Sequence, residues 1–406
     1  MAVGEGKLPT LNPINGFRLG TASAGIKKVG RVDLVVMEIC EGASVAGVFT
    51  KNAFCAAPVQ IAKRHLGQHP PRYFMVNTGN ANAGTGESGL ANCITSCKAL
   101  ATLQKITPEA IIPFSTGVIG EPLPVEKIYA ALPTAIGALS DDNWAIAATG
   151  IMTTDTRPKG ASLQFEYQGE TISVTGIAKG AGMIKPNMAT MLGYVATDAA
   201  IDQSLLENMI QTAVNQSFNR ITIDGDTSTN DACMLVATAK TTLAKVTATD
   251  DPLYVLLLDA ICTVFIELAQ GLVRDGEGAN KFVSVVVNGG VAEDECLKVA
   301  YTVAESPLVK TALFASDPNW GRLLAAIGRA GLERLDVNRV SIHINDVLIA
   351  ENGCRAATYT EEQGVAAMAA EEITIGINLD RGDACATVWT TDLSDEYVRI
   401  NADYRS

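Results

Sequence analysis

The chain has 406 residues, of which 48% are hydrophobic and 18% are charged. This length is enough for roughly two or three domains, and the composition is that of a globular protein, so a largely disordered chain is excluded. The 31 basic and 44 acidic residues give a net charge of −13, which argues against nucleic acids and anionic membrane surfaces as partners.

Strand and helix patterns are mixed along the chain. Short runs rich in β-branched and aromatic residues predict strands at 32–40, 44–49, 73–77, 171–177, 282–288, 339–344 and 384–391. Apolar residues at helical spacing predict helices at 90–106, 124–132, 253–273, 294–303 and 361–370, and another that Asp202 caps. Because strands and helices do not alternate strictly, the sequence favours an α+β fold over a doubly wound parallel sheet.

The longest apolar stretch, residues 253–273, is interrupted by four polar residues: Asp259, Thr263, Glu267 and Gln270. At helical spacing these fall within an arc of about 80°, which gives a polar stripe on an otherwise buried helix. Asp251 as N-cap and Pro252 in the first turn mark its start. We therefore predict a core helix and no membrane span. Residues 1–20 also lack the basic-then-apolar pattern of a secretory signal.

A charged, glycine-rich segment at 274–281 (RDGEGANK) follows this helix. Such a change in composition after a long helix is typical of a domain boundary. We predict a core domain at 1–280 and a smaller C-terminal α/β domain at 281–406.

Cysteine and histidine usage limits the chemistry that the chain can support. The nine cysteines are an odd number without the spacing of a disulfide framework, which indicates reduced thiols in a cytosolic protein. The three histidines are His65, His69 and His343. The first two are spaced as in HExxH zinc motifs, but Leu66 stands where that motif needs its glutamate. We therefore expect no metal site, and a Ser-His-Asp triad is also disfavoured.

Two short runs resemble ligand-binding loops only in part. The GxGxxG run at 84–89 is typical of dinucleotide sites, but six residues separate it from the preceding predicted strand and no acidic residue ends the next one. The run at 224–229 begins like a Ca²⁺ loop, yet Thr229 replaces the turn glycine and Leu235 replaces the bidentate glutamate. We interpret the first as a pocket-lining loop and the second as a capped turn.

A threonine near the middle of the chain suggests a different kind of catalyst. With so few histidines, a nucleophile activated by its own α-amino group is one solution, since such an amine has a pKa of about 7.7–8.0. In the segment KGAGMIKPNMATML, Gly180 and Gly182 allow close backbone approach, and Pro186 fixes the loop before Thr190. By spacing alone, however, a threonine before an apolar strand is more often a core or edge residue.

The same segment resembles the processing site of the ornithine acetyltransferase (glutamate N-acetyltransferase) family, and the resemblance extends along nearly the whole chain. Matching motifs occur in order at 48–52 (VFTKN), 56–59 (AAPV), 80–83 (NANA), 115–120 (STGVIG), 152–156 (MTTDT), 317–322 (DPNWGR) and 401–406 (NADYRS). Several spaced matches in one order are far more specific than any single one. Two positions depart from the family's pattern, because Ser406 and Asn280 stand where threonine is common.

The resemblance implies an acetyltransferase that cleaves itself. The chain would break between Ala189 and Thr190, giving chains 1–189 and 190–406. Thr190 would then accept the acetyl group of N2-acetylornithine and pass it to glutamate in a ping-pong cycle of arginine biosynthesis. Thr116, through its hydroxyl, and Gly117, through its backbone N–H, would form the oxyanion hole, which needs preorganised donors.

The resemblance also implies substrate contacts, a fold and an assembly. The implied substrate-contacting positions are Thr153, Lys179, Thr190, Glu277, Asn401 and Ser406. Because Asn401 and Ser406 are at the C-terminal end, the tail of the C-terminal domain would return to the active site. Lys179 suits a substrate carboxylate, and Glu277 suits an ammonium group. The implied fold is an α-β-β-α sandwich of the N-terminal-nucleophile type, in a cytoplasmic heterotetramer with two copies of each cleaved chain. The implied enzyme has no metal or tightly bound cofactor, and the motifs leave open whether acetyl-CoA is also an acetyl donor.

Two other functions are compatible with parts of the sequence. A self-processed aminopeptidase or amidase would share the nucleophile and the oxyanion hole but would pass the acyl group to water. The charged residues Lys179 and Glu277 favour a charged acceptor instead. A nucleotide-dependent oxidoreductase would use the glycine-rich loop at 84–89.

Overall fold

The computed structural model describes residues 2–185 and 191–403. The strands are β1 (Phe17–Ala22), β2 (Leu34–Ile39), β3 (Ser44–Phe49), β4 (Tyr73–Asn80), β5 (Ile111–Val118), β6 (Lys159–Tyr167), β7 (Glu170–Lys179), β8 (Leu192–Thr197), β9 (Ala232–Ala237), β10 (Phe282–Gly290), β11 (Ser341–Ile344), β12 (Val347–Glu351), β13 (Cys354–Arg355), β14 (Glu372–Asn378) and β15 (Ala384–Thr391). The helices are α1 (Ala57–Gln68), α2 (Gly86–Gln104), α3 (Val125–Gly137), α4 (Trp144–Gly150), α5 (Gln203–Gln216), α6 (Pro252–Arg274), α7 (Glu293–Ala304), α8 (Pro307–Phe314), α9 (Trp320–Gly328), α10 (Glu361–Met368) and α11 (Asp395–Ala402).

Two sheets form the centre of the molecule. The first has the strand order β1-β2-β4-β5, and the second has the order β3-β9-β8-β7-β6. Their facing sides share one apolar core, in which the ring centroids of Phe74, Phe114 and Tyr194 are 5.1 to 6.0 Å apart. Helices α2 and α3 cover the outer side of the first sheet, and α5 and α6 cover that of the second. The predicted α+β fold with α-β-β-α layers is confirmed.

Strand β2 shows how the sequence specifies this layering. Val35 and Met37 belong to the core between the two sheets, whereas Leu34 and Val36 belong to the core under the helices. Successive side chains of a strand point to opposite faces. Because both faces of β2 are buried, its sequence is continuously apolar from Leu34 to Met37 rather than alternating.

A third sheet occupies the C-terminal part of the chain, with the order β13-β12-β11-β14-β10-β15. It has its own apolar core, which it shares with helices α7 to α10. Strand β10 pairs in parallel with β14 and antiparallel with β15, so the sheet is mixed. This sheet begins at Phe282, close to the predicted boundary. The division into domains 1–280 and 281–406 stays a prediction.

Several helix and strand ends lie where the sequence predicts them, because the residues that specify them are close together in the chain. Strands β3 and β15 have the predicted bounds. The carboxylates of Asp202 and Asp251 accept backbone N–H groups from Ser204 and Leu253, so each caps its helix as expected. Strand β4 extends to Asn80 rather than ending at residue 77, which changes the geometry at the edge of the first sheet.

Helix α6 is the only helix of the described residues whose length and composition would suit a membrane span. Half of its most apolar window is buried inside the molecule. Leu257, Phe265 and Leu272 belong to the core that α6 forms with α5 and the second sheet. It is therefore a core helix, as predicted.

A buried ion cluster joins distant parts of the chain. The Lys159 ammonium group contacts the carboxylates of Asp155 and Asp275, and the three side chains are almost inaccessible to solvent. Burial alone would raise the pKa of Asp155, but the ammonium groups of Lys159 and Lys179 outweigh burial and hold this pKa below its ordinary value. Asp155 is therefore ionised at neutral pH.

We expect Lys159→Met to lower the free energy of unfolding by about 3–5 kcal/mol at pH 7, because two carboxylates would remain buried without their cation. Since the folded-state pKa of Asp155 is depressed, its stabilisation is present above the unfolded pKa of about 3.9 and is lost as the pH falls below that value. The difference between variant and native protein should therefore shrink in acid. Denaturant titrations at several pH values measure it.

The matched control is Lys98→Met, which removes an exposed ammonium group from α2 and should change the free energy of unfolding by less than about 0.5 kcal/mol. If Lys159→Met were no more destabilising than this control, the cluster would make no net contribution to stability.

Candidate active site

Strands β4 and β5 run in parallel, so their carboxyl ends meet at one edge of the first sheet. Thr116 and Gly117 lie near the end of β5, beside Gly79 of β4. Gly117 has a φ of +135°, and a Cβ at this position would lie 2.3 Å from the carbonyl carbon of Gly79. Only glycine allows this close approach of two backbones. The Thr-Gly pair is thus held rigidly at the sheet edge.

Lys179, at the end of β7, reaches across to Thr116 from the second sheet. Its Nζ donates a hydrogen bond to Thr116 Oγ1 at 3.1 Å, and the side chain is buried. Burial lowers the pKa of Lys179, and the negative charge of Asp155 partly offsets this effect. Because the Thr116 oxygen accepts from Lys179, the hydroxyl proton of Thr116 can point toward another acceptor.

The C-terminal helix α11 closes another side of this region. Asn401 Nδ2 donates to Glu277 Oε2 at 2.8 Å. Glu277 packs directly on Gly182, where a Cβ would lie 2.5 Å from its carboxyl carbon. The Ser394 hydroxyl donates to the Gly278 carbonyl at 2.7 Å. These contacts hold α11 against the loop that carries Glu277.

Six of the predicted site residues line one cavity of about 200 Å³: Thr116, Gly117, Thr153, Lys179, Glu277 and Asn401. Five separate stretches of the chain supply them, and the volume suits an amino-acid-sized ligand. The other predicted site residues, Ala189, Thr190 and Ser406, lie outside the described residues.

The described residues on both sides of 186–190 lie beside this cavity. Ile184 and Met191 line an adjoining cleft of about 30 Å³ together with Thr116 and Lys179. Described residues from both sides of the predicted cleavage position in the sequence therefore lie beside the oxyanion-hole candidate Thr116.

Two aspartates in this region have different roles. The carboxylate of Asp224 accepts the N–H groups of Met183 and Ile184 at 2.6 and 2.9 Å, so it fixes the loop that leads toward the cavity. Burial raises the pKa of Asp231 well above its ordinary value, and a hydrogen bond with Ser228 only partly offsets this. The cleft thus contains a carboxyl group that burial drives toward its neutral form.

The sequence analysis missed polar residues in the turn before β9. Ser228, Thr229 and Asn230 line the cavity. Asn230 Nδ2 donates to the carbonyls of Ala81 and Ser115 at 2.6 and 2.8 Å, so it links the first sheet to the second. The sequence feature that could have indicated these residues is a run of hydroxyl and amide side chains directly before an apolar strand. This run was compared only with a Ca²⁺ loop.

The glycine-rich run at 84–89, predicted as a loop, instead leads into the first turn of α2, and the polar side chains of Asn82 and Thr85 stabilise it. Asn82 accepts from the Thr85 hydroxyl at 2.9 Å and donates to the Gly89 carbonyl at 3.0 Å. A Cβ at Gly89 would collide with the Thr85 hydroxyl oxygen at 1.9 Å. The glycine pattern thus has a packing explanation that needs no dinucleotide.

Comparison with known proteins identifies the family. The model of the ArgJ family matches residues 18–406. Proteins named "Arginine biosynthesis bifunctional protein ArgJ" from Pseudomonas syringae pv. tomato and Pseudomonas fluorescens are 63% and 62% identical to this chain over 406 residues, 100% of each sequence. The chain belongs to the ArgJ family. The resemblance found in the spaced motifs is confirmed, and the ArgJ relatives support the acetyltransferase prediction rather than the aminopeptidase or oxidoreductase alternatives.

Two solved structures are also similar to this chain in sequence. A structure of arginine biosynthesis bifunctional protein argJ from Bacillus halodurans is 36% identical, with a TM-score of 0.49, and the match covers 52% of this chain and 97% of that one. A structure of ornithine acetyltransferase complexed with ornithine from Mycobacterium tuberculosis is 34% identical, with a TM-score of 0.41, and the match covers 44% of this chain and 95% of that one.

Proposed function

We propose that this chain is a self-cleaving acetyltransferase of arginine biosynthesis. It transfers the acetyl group of N2-acetylornithine to glutamate through an acetyl ester of Thr190, after the bond between Ala189 and Thr190 has broken. The observation that carries this proposal is the cavity in which the candidate oxyanion donors, Thr116 and Gly117, meet a buried ammonium group and a carboxylate. The printed names of the ArgJ relatives support the pathway.

The surroundings of the proposed cleavage position support Thr190 as the nucleophile. Met191, its neighbour in sequence, lines the cleft beside Thr116. Lys179 and Leu192 are paired in adjacent strands, so the chain leaves the second sheet and re-enters it at the cavity. A nucleophile that uses its own α-amine as base also needs no histidine, which suits a chain that has only three.

In the proposed first half-reaction, the α-amine of Thr190 takes the hydroxyl proton while the oxygen attacks the acetyl carbon of N2-acetylornithine. The oxyanion accepts hydrogen bonds from the Thr116 hydroxyl and the Gly117 N–H. The C–N bond then breaks, the ornithine nitrogen receives the proton, and the acetyl ester stays on Thr190. In the second half-reaction, the amine nitrogen of glutamate attacks the carbonyl carbon of this ester, and the same two donors bind the new oxyanion. The C–O bond to Thr190 then breaks, and the proton lost by the glutamate nitrogen passes through the α-amine to the Thr190 oxygen.

The two charged side chains in the cavity suit amino-acid substrates. The ammonium group of Lys179 would attract a substrate carboxylate, and the carboxylate of Glu277 would accept hydrogen bonds from a substrate ammonium group. Asn401, which donates to Glu277, would fix the direction of that carboxylate. Charge-assisted contacts of this kind favour a charged acyl acceptor over water.

We expect Glu277→Gln to raise the KM for N2-acetylornithine by about tenfold or more and to change kcat much less, because a hydrogen bond to a charged group contributes about 1.5–3 kcal/mol. Initial rates over a range of substrate concentrations measure KM and kcat separately. Glu333→Gln, at an exposed position, is the matched control. An unchanged KM would show that Glu277 does not bind this substrate.

The remaining features of the proposal concern assembly and location. The two cleaved chains would form a heterotetramer with two copies of each, in the cytoplasm, where nine unpaired cysteines suit reducing conditions. The proposed reaction uses no metal or tightly bound cofactor. Acetyl-CoA is a second acetyl donor in this proposal.

Incubation with N2-acetylornithine, with and without glutamate, tests the proposal directly. Formation of acetylglutamate and ornithine in equal amounts would support it. Release of free acetate at the same rate without glutamate would instead indicate an amidase and would contradict the proposed transfer.

A further inference from the structure

Asn230 lies in the turn before β9 and is buried. Its amide nitrogen donates to the carbonyls of Ala81 and Ser115 at 2.6 and 2.8 Å, and its amide oxygen accepts the Thr229 hydroxyl at 2.6 Å. These partners fix the orientation of the amide, because the opposite orientation would place its oxygen against two carbonyl oxygens. Although Asn230 lines the cavity, both of its amide hydrogens are therefore already donated to the backbone.

The two carbonyls that accept from Asn230 lie beside the Thr-Gly pair at 116–117. Ser115 directly precedes this pair in β5. The N–H group of Ala81 donates at 2.9 Å to the carbonyl of Val118, which directly follows the pair. Because a peptide bond is planar, holding the Ser115 carbonyl also fixes the direction of the next backbone N–H group. Asn230 thus restrains the Thr-Gly pair on both sides.

Buried polar side chains of the first sheet hold the same residues. The Ser115 hydroxyl donates to Asn77 Oδ1 at 2.6 Å, and Asn77 Nδ2 donates to the Asn80 carbonyl at 2.9 Å. All three residues are buried. Buried networks whose polar groups are paired are rigid. The Thr-Gly pair therefore lies at the end of a rigid network, which Asn230 connects to the second sheet.

Asn230 and the Thr-Gly pair belong to different products of the proposed cleavage. The pair lies in the first fragment, and Asn230 lies in the second. Two residues after Asn230, the N–H group of Ala232 donates to the Met191 carbonyl at 2.9 Å. Met191 directly follows Thr190 in the sequence. The short segment 230–232 thus contacts the support of the oxyanion donors at one end and the neighbour of the proposed nucleophile at the other.

We propose that Asn230 is a positioning residue that sets the distance between the two oxyanion donors and the strand that follows the nucleophile. In this role it holds the Thr116 hydroxyl and the Gly117 N–H group where the oxyanion of each half-reaction forms, and it does not bind the substrate itself. The role rests on the proposed function, since it concerns the rate of that reaction. Displacement of a catalytic group by about 1 Å can lower a rate by about 10²-fold, so such a residue would affect kcat strongly.

Asn230→Leu tests this role, because leucine has the same branching but no N–H group to donate. We expect kcat for transfer from N2-acetylornithine to glutamate, per cleaved chain, to fall by about 10²-fold, while both KM values stay within about twofold of the native ones. The matched control is Asn208→Leu, at an exposed position of α5, which should keep the native kcat and KM. An unchanged kcat, or a rise in KM alone, would overturn the inference.

A double variant shows whether Asn230 acts through the oxyanion donors. Independent effects of Thr116→Ala and Asn230→Leu on kcat would multiply. If Asn230 acts by placing the Thr116 hydroxyl, the double variant should be at most about tenfold slower than Thr116→Ala alone. A fully multiplicative loss would overturn the proposed role, because Asn230 would then affect the reaction by another route.

Thr229→Val is a milder variant, which keeps the test decisive if Asn230→Leu does not fold. It removes the hydroxyl that orients the Asn230 amide and keeps the shape of the side chain. Because one hydrogen bond is lost, kcat should fall by about threefold to tenfold without a change in KM. A native kcat in this variant would then overturn the inference.

Amide hydrogen exchange, read by mass spectrometry, needs neither turnover nor cleavage. In Asn230→Leu and Thr229→Val, peptides that cover 79–83 and 115–120 should exchange at least about threefold faster than in native protein, whereas β1 and β2 should not change. Faster exchange of β1 and β2 as well would show that Asn230 only stabilises the sheet, and would overturn the inference.

The exchange result also separates this role from the proposed function. Unchanged exchange at 115–120 would overturn the role of Asn230 even if native protein transferred acetyl groups from N2-acetylornithine. Conversely, a local increase at 115–120 would support Asn230 as the residue that holds the Thr-Gly pair even if that transfer failed.

Discussion

Replacement of Thr190 by alanine is expected to leave a single uncleaved chain without measurable transferase activity. Native protein should give two bands on a denaturing gel, one of which begins with Thr-Met-Leu-Gly by N-terminal sequencing. Both the hydroxyl and the α-amine of the proposed catalyst are lost in the variant, so the rate should fall by more than about 10⁴-fold, as expected for loss of a catalytic nucleophile.

The control for this experiment is Thr212→Ala, a half-buried threonine on α5 whose hydroxyl donates to the Asn208 carbonyl of the same helix. It should be cleaved and active like the native protein. Cleavage at the same bond in Thr190→Ala would contradict the assignment of this residue as the nucleophile of processing. Full activity of an uncleaved chain would contradict its assignment as the catalyst.

Replacement of Thr116 by alanine has the second largest expected effect. It removes one of two oxyanion donors, so kcat should fall by about 10²–10³ while the KM for N2-acetylornithine changes little. The hydrogen bond from Lys179 makes this expectation specific, since the Thr116 oxygen is already occupied as an acceptor and its proton is available to the oxyanion. Steady-state kinetics of the correctly cleaved variant measure the effects on kcat and KM separately.

Thr116→Ser separates the role of the Thr116 hydroxyl group in the reaction from the role of its methyl group in packing. It keeps the hydroxyl and removes only a methyl group, so it should retain most of the native kcat. A loss as large as that of Thr116→Ala would show that the methyl group matters through packing and that the hydroxyl is not the oxyanion donor.

The strands and helices that form the layers were largely predictable, because each is specified by residues that are close together in the sequence. The strand at β3 and the caps at Asp202 and Asp251 depend on residues within one or two turns. Strand β9 was not predicted although all its residues are buried, since a short apolar run of this kind suits a buried strand and a buried helix equally. The extension of β4 to Asn80 follows from pairing with β5, which no local pattern reveals.

The candidate site was predictable only through the resemblance to a family. Glu277 and Asn401 are far apart in sequence, and their hydrogen bond depends on how α11 packs. Spacing alone could not bring either one near Thr116. Asn230 was missed for the same reason, since its partner Ser115 is in β5 of the first sheet and its partner Ala81 directly follows β4. Long-range contacts of this kind are set by the folded chain as a whole.

The strand order of the second sheet has a consequence for the two products of the proposed cleavage. Strands β8 and β9, from 190–406, lie between β3 and β7, from 1–189. Fragment 1–189 therefore supplies hydrogen-bonding partners on both sides of the pair formed by β8 and β9, and neither fragment could leave without breaking the sheet. An affinity tag on one fragment would recover both from native buffer, and genes that encode the fragments separately would have to be co-expressed for either product to fold.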